Sequence, residues 1–334
     1  MKFRKLSRIA SVSATALALA AAGQASAALT VFQTFTGNLG LSTDGCGTAT
    51  ATCSIQAFVP VGATVTGAWL YQTTFGGPPA TAQPITFNGN PLAFSPFVVN
   101  TSQTFLGSAR ADVTAAVAAI VNPGLGGTYN FTVGEGMTNS TDGTALVVVY
   151  SLASLAMSTV TILDGFASTT GDTATINFAA PLNTAAPGFT ADVRLGIGFS
   201  AGSGSGQTST VRVNGTLISS NAGGFDDGAL ANGQLITVGG NDDAFSPFLP
   251  ANSVADTERY NLIPQIANGS TSITFQTANT SNDDNIFLLA GLFSGRATVS
   301  TAIPEPATWG MMLVGFGIVG GAMRRRQRTS LSFG

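Results

Sequence analysis

Between Ala307 and Met323 the chain carries no charge, and this run divides everything before it from everything after. Pro304-Glu305-Pro306 stands in front of it and Arg324-Arg325-Arg326-Gln327-Arg328 closes it. Each proline fixes φ and lacks an N–H, so neither a strand nor a helix continues through the triplet. Coiled as an α-helix, residues 307–323 extend roughly 26 Å at about 1.5 Å per residue. That is near the low end of what spans the ~30 Å hydrocarbon core of a bilayer. Arginines at the end of such a helix stay on the cytoplasmic side. The expectation is one transmembrane helix at 307–323, with the body folding separately upstream of it.

The order and spacing of Pro304-Glu305-Pro306, Ala307, Trp309, Met311-Met312, Gly315-Phe316-Gly317, Val319-Gly320 and Arg324-Arg325-Arg326 resemble the PEP-CTERM sorting signal of Gram-negative bacteria. The resemblance covers residues 302–328 only. It implies that a membrane protease, exosortase, recognises the triplet and processes the tail, and that the protein is associated with exopolysaccharide and the cell surface. The residues it marks as the sorting signal are Pro304, Glu305, Pro306, Arg324, Arg325 and Arg326. It assigns no activity to the rest of the chain.

The N-terminus agrees with export. Lys2, Arg4, Lys5 and Arg8 form a basic region, Ile9 to Ala22 is small and apolar, and Ala25-Ser26-Ala27 fits a cleavage site. Residues 1–27 therefore read as a signal peptide for the Sec translocon, cut after Ala27. The expected route is an inner-membrane-anchored precursor, then the cell surface or the extracellular space.

These two segments carry most of the positive charge. Between them the basic residues are Arg110, Arg194, Arg212, Arg259 and Arg296, against fifteen acidic ones, a net charge of about −10. Such a body repels nucleic acid and anionic membrane surfaces. The chain has no histidine, and the body has no lysine. That removes histidine general-base catalysis and histidine metal ligation. A pair of carboxylates could serve a glycosidase, but nothing singles out a pair. Glu135 and Glu258, the only glutamates of the body, read as solvated loop residues. The expectation is no enzyme.

Cys46 and Cys53 flank a loop of small residues. In an exported chain they are expected to form a disulfide. Closing so short a loop stabilises by roughly 2–3 kcal/mol on the chain-entropy estimate.

The body is all-β in pattern: short runs rich in Val, Thr, Ile and Phe, divided by turn residues. Asn88-Gly89 and Asn214-Gly215 read as tight hairpin turns. Ala111–Val121 is the best helical stretch, with Asp112 near its start; a short strand followed by a loop is an equal reading. Two segments also align in the same order. Ile85-Thr-Phe-Asn88-Gly89 matches Val211-Arg-Val-Asn214-Gly215, and Phe94-Ser95-Pro96-Phe97 recurs as Phe245-Ser246-Pro247-Phe248. Tyr129–Val133 matches Ser272–Gln276, and Asp142–Tyr150 matches Asp284–Leu292. The expected architecture is two tandem, duplicated β-sandwich domains at 28–157 and 158–301.

The Phe-Ser-Pro-Phe sequences are expected to close sheet edges, the proline preventing further pairing; stacking of their rings on sugars is the alternative. Trp69 and Tyr71 lie on one strand face, with Trp69 in the core. No cofactor is required. The weak calcium candidates are Asp242, Asp243, Asp283 and Asp284, in oxygen-rich loops that suit a hard cation but that also form ordinary turns. The function expected is a structural or adhesive surface protein linked to exopolysaccharide; the alternative is a glycan-binding module, assisted by calcium.

Overall fold

The structure is a computed structural model. It describes residues 28–302 except 48–49, 76–79, 101–102, 136–139, 200–205, 222–226, 228–234, 247–257 and 282–284. The signal peptide, the sorting signal, the transmembrane span 307–323, and Asp283 and Asp284 all lie outside the described residues. Among the described residues, no helix is long and apolar enough to cross a membrane.

Among the described residues the body is all-β, with four sheets and one α-helix. One inner sheet runs β2 (Leu39–Cys46), β10 (Thr141–Ser151), β4 (Thr64–Phe75), β8 (Leu106–Asp112), β7 (Phe97–Val99). Facing it is an outer sheet: β3 (Thr52–Val59), β9 (Gly127–Gly134), β5 (Thr86–Phe87), β6 (Asn90–Pro91). The other inner sheet runs β1 (Thr30–Gly37), β11 (Ser158–Asp164), β19 (Asn285–Ser294), β13 (Ala191–Gly198), β16 (Ile236–Val238), and β17 (Arg259–Asn261) also pairs with β13. Its outer partner runs β15 (Thr216–Ser220), β14 (Ser209–Val213), β18 (Ser272–Asn279), β12 (Thr173–Phe178), β20 (Ala297–Ala302).

Three apolar clusters separate these layers. Ile55, Leu70, Phe87, Phe131 and Leu146 fill the space between the first two sheets. Ile176, Leu195, Val211, Phe275 and Phe293 fill the space between the last two. The third cluster, with Leu41, Trp69, Tyr71, Val147, Ile162 and Phe287, joins the inner sheets face to face. Strand composition follows from this stacking. Central strands of the inner sheets are buried on both faces and read as continuous apolar runs, as in Ala145-Leu-Val-Val-Val-Tyr150 of β10. Outer strands alternate, as in Ser272-Ile-Thr-Phe-Gln-Thr of β18, where Ile273 and Phe275 point inward.

The pairing order is the same on both sides. β2–β10–β4–β8 corresponds to β11–β19–β13–β17, and β3–β9–β5–β6 to β12–β18–β14–β15. The correspondence reaches single bonds. Asn88 and Asn214 both sit at φ 48° in an Asn-Gly hairpin turn. Each donates its N–H to a strand carbonyl, of Thr132 and Thr274, at 2.7 and 2.9 Å. Each also accepts the same threonine's N–H on Oδ1, at 2.9 and 3.0 Å.

β1 does not stay with the residues that follow it. It pairs antiparallel with β11, Thr34 opposite Thr161, so the 157/158 boundary does not separate the two sets of strands. Its Phe32 packs edge-on against Trp69 at 5.3 Å between centroids, which covers apolar surface at the junction of the inner sheets.

The helical expectation over Ala111–Val121 resolves into the end of β8 followed by α1 (Thr114–Val121). Asp112 ends the strand and its Oδ1 accepts the Thr114 N–H at 2.8 Å. The disulfide between Cys46 and Cys53 is formed, tying β2 to β3. The solvated reading of the glutamates is corrected. Glu135 is 1% exposed and Glu258 is fully buried. Glu258 is held by the Tyr260 hydroxyl, 3.2 Å from either carboxylate oxygen, and by the Ser219 hydroxyl at 3.4 Å.

Candidate ligand-binding groove

Strand alternation places Asp192 and Arg194 of β13 on one face, two residues apart in an otherwise apolar strand. Opposite Arg194 in the ladder stands Arg259 of β17. The three charges meet: Arg194 Nη2 lies 2.9 Å and Arg259 Nη2 3.1 Å from Asp192 Oδ2. Arg194 also donates through Nη1 to Thr43 Oγ1 at 3.1 Å and to Asn241 Oδ1. Thr43 lies on β2, so this network joins the two inner sheets. Asn241 completes the join, its N–H donating to the Thr43 carbonyl at 3.0 Å and its Oδ1 accepting the Thr43 N–H at 3.1 Å.

This polar cluster forms one wall of a groove of about 490 Å³. Its other walls are aromatic and aliphatic: Phe58, Tyr150, Phe189 and Phe245, with Leu155 and Ile263. Phe58 is 44% and Phe245 47% exposed, two of the few large apolar side chains on the described surface. The Arg259 guanidinium lies 4.6 Å from the centre of the Phe245 ring, a cation–π contact that holds the ring in place. Two arginines against one aspartate leave the groove wall at a net charge of +1 inside an acidic body.

A second cluster adjoins it. Asp44 of β2 accepts the Gln56 N–H on Oδ2 at 2.5 Å. It lines a small cavity of about 70 Å³ with Asp242 and Phe58. Burial above all, and then the charges of Asp242 and Asp243, push its carboxyl up to about 7. Of the calcium candidates, Asp242 is exposed, and Asp243 Oδ2 accepts the Gly240 N–H at 2.6 Å. Among the described residues, one group of cysteine and acidic side chains converges closely enough to suggest a metal. It comprises the Cys46 and Cys53 sulfurs and a Glu135 carboxylate oxygen, within 4.8 Å of one another. The sulfurs are joined as a disulfide and offer no thiolate.

The two Phe-Ser-Pro-Phe sequences take related places. Ser95 donates its N–H to the Arg110 carbonyl at 2.9 Å, and Ser246 to the Arg259 carbonyl at 2.7 Å. In the first, Phe97 opens the edge strand β7. In the second, Phe245 lines the groove; Pro247 and Phe248 lie outside the described residues. Trp69 is 8% exposed in the core between the inner sheets.

Sequence reasoning did not single out Asp192, Arg194, Arg259 or Asp44 as a site. The available signal was scarcity. The body has five arginines, and one of them, Arg194, stands in a strand buried along its whole length.

Residues 302–327 match the family model of the PEP-CTERM protein-sorting motif. The match begins where β20 ends, at Ala302. It implies processing by exosortase and a membrane-anchored precursor on the way to the surface. No curated protein and no solved structure gives a significant match.

Proposed function

We propose, starting from the PEP-CTERM motif at 302–327, that the chain is an exported surface protein whose body acts by binding extracellular polysaccharide rather than by catalysis. Residues 1–27 direct it to the Sec translocon. The span 307–323 retains it in the inner membrane with Arg324, Arg325 and Arg326 inside. Exosortase then recognises Pro304-Glu305-Pro306. The role of the body at the surface is structural or adhesive.

The observation that carries the binding role is the groove. It presents two exposed aromatic faces, Phe58 and Phe245, beside fixed arginine and asparagine donors. Aromatic faces pack on the C–H surfaces of sugar rings, and fixed donors take the hydroxyls. The repeated strand order and the paired Asn-Gly turns support reading the body as two duplicated sandwiches, with the groove at their junction.

The sorting step is tested by intact mass of the protein recovered separately from membranes and from culture medium. Replacing Pro304-Glu305-Pro306 with three alanines is expected to leave unprocessed precursor in the membrane; normal processing of that variant would overturn the assignment. The binding role is tested by retention of the protein on a glycan array.

A further inference from the structure

At the disulfide-bearing end of the first pair of sheets, the ladder between β10 and β4 breaks. Thr141 pairs with Thr74 and Gly143 with Thr73, so Asp142 is the extra residue of a β-bulge. A bulge turns a side chain out of the regular alternation. Asp142 is fully buried, and among the described residues neither carboxylate oxygen has a hydrogen-bond partner. Thr74, 1% exposed, has a buried hydroxyl that is likewise unpartnered. Thr74 continues the inward face that Leu70 begins on β4. Glu135 follows β9, two residues after inward-facing Val133, and its carboxylate lies against the Cys46–Cys53 disulfide.

We propose that the buried pocket formed by Asp142, Glu135 and Thr74 binds one calcium ion. The argument is one of charge and donor type. A fully buried carboxylate with no hydrogen-bond partner does not stay ionised unless a proton or a cation compensates it. Glu135 lies close enough for its charge to act on the buried Asp142 carboxylate. The donors are all oxygen, and two carboxylates match a divalent charge. Calcium takes six to eight oxygens in a flexible shell, whereas magnesium demands a near-ideal octahedron and keeps its waters. Zinc has no histidine or thiolate here to hold it. The disulfide ties β2 to β3, and Thr144 of β10 donates to the Cys46 carbonyl at 3.2 Å, so the pocket is framed before any ion enters. This site is separate from the groove and from the Asp242–Asp243 loop, and it does not depend on the sorting assignment.

The test is thermal unfolding of the full chain in detergent with calcium, with magnesium, and with chelator alone, together with calcium content after dialysis. Calcium at about 1 mM, the working range of extracellular calcium modules, is expected to raise the Tm by about 3 °C for each tenfold excess over Kd. Magnesium is expected to have no such effect, and one calcium per chain should remain bound. Asp142→Asn, close to isosteric, is expected to lose the calcium shift and yet melt no lower than wild type in chelator, because it removes a buried, repelled charge. No calcium-dependent shift in the wild type would mean that the carboxylates share a proton only, and the proposal would fall. A calcium shift that survives in Asp142→Asn would place the ion elsewhere and overturn it equally.

Discussion

Arg194 on β13 and Thr43 on β2 meet across the two inner sheets, Nη1 to Oγ1 at 3.1 Å, and the bond belongs to a buried charge cluster at the mouth of the groove. Asp192 at the centre of that cluster is 4% exposed and Arg194 2%. A buried ion whose partner is removed keeps its desolvation cost and loses its compensation.

Removing one partner is therefore expected to cost more than removing a surface charge. Arg194→Ala should destabilise the body by about 3–5 kcal/mol, and Asp192→Ala by a similar amount. Arg212, whose Nη1 donates to its own turn carbonyl at Gly215 on the exposed surface, is the control: Arg212→Ala should stay within about 0.5 kcal/mol of wild type. Urea unfolding of the three variants checks the ranking. Equal losses in all three would show that the cluster does not hold the sheets together.

Asp44 is expected to make stability depend on pH. Its folded carboxyl titrates at about 7, against about 3.9 when unfolded. A raised folded value means that the folded state holds its proton more tightly. The contribution is then fully present below about pH 4 and is lost as pH rises toward 7. The full shift corresponds to about 4 kcal/mol, an upper bound because the carboxylate relaxes and hydrates on ionisation. Melting curves of wild type and Asp44→Asn from pH 5 to 8 test this. The wild type should lose stability over that range relative to the variant; parallel curves would remove Asp44 as the cause.

The groove makes its own prediction. Phe245→Ala and Phe58→Ala should each weaken glycan binding by about 1 kcal/mol or more, roughly fivefold or greater, while leaving the Tm close to wild type because both rings are half exposed. Affinity and melting temperature measured on the same preparation separate the two effects. Loss of stability without loss of affinity would make the rings structural.

Much of the fold was legible in particular residues. Asn88-Gly89 and Asn214-Gly215 announced the two hairpins, and both asparagines do adopt positive φ. Other elements were hidden by composition. β2, Leu-Gly-Leu-Ser-Thr-Asp-Gly-Cys, carries Gly, Ser and Asp, which favour turns, yet it is buried along its whole length. Its glycines are there for close approach. A Cβ on Gly40 would lie 2.3 Å from the Tyr150 ring, and one on Gly45 would lie 2.8 Å from Val238 across the junction. That requirement comes from neighbours distant in the chain, so local propensity does not record it.

The same division holds for the protein as a whole. Sequence alone determined the sorting signal, the all-β character, the disulfide and the hairpins, because each depends on residues adjacent or at fixed spacing along the chain. Tertiary structure alone decided that β1 pairs with β11, that Asp192, Arg194 and Arg259 converge, and that Asp142 is buried near Glu135. Those outcomes depend on which apolar faces stack. The double-sided burial of β4, β10, β11 and β19 selects one stacking, and these charges meet only once it has formed.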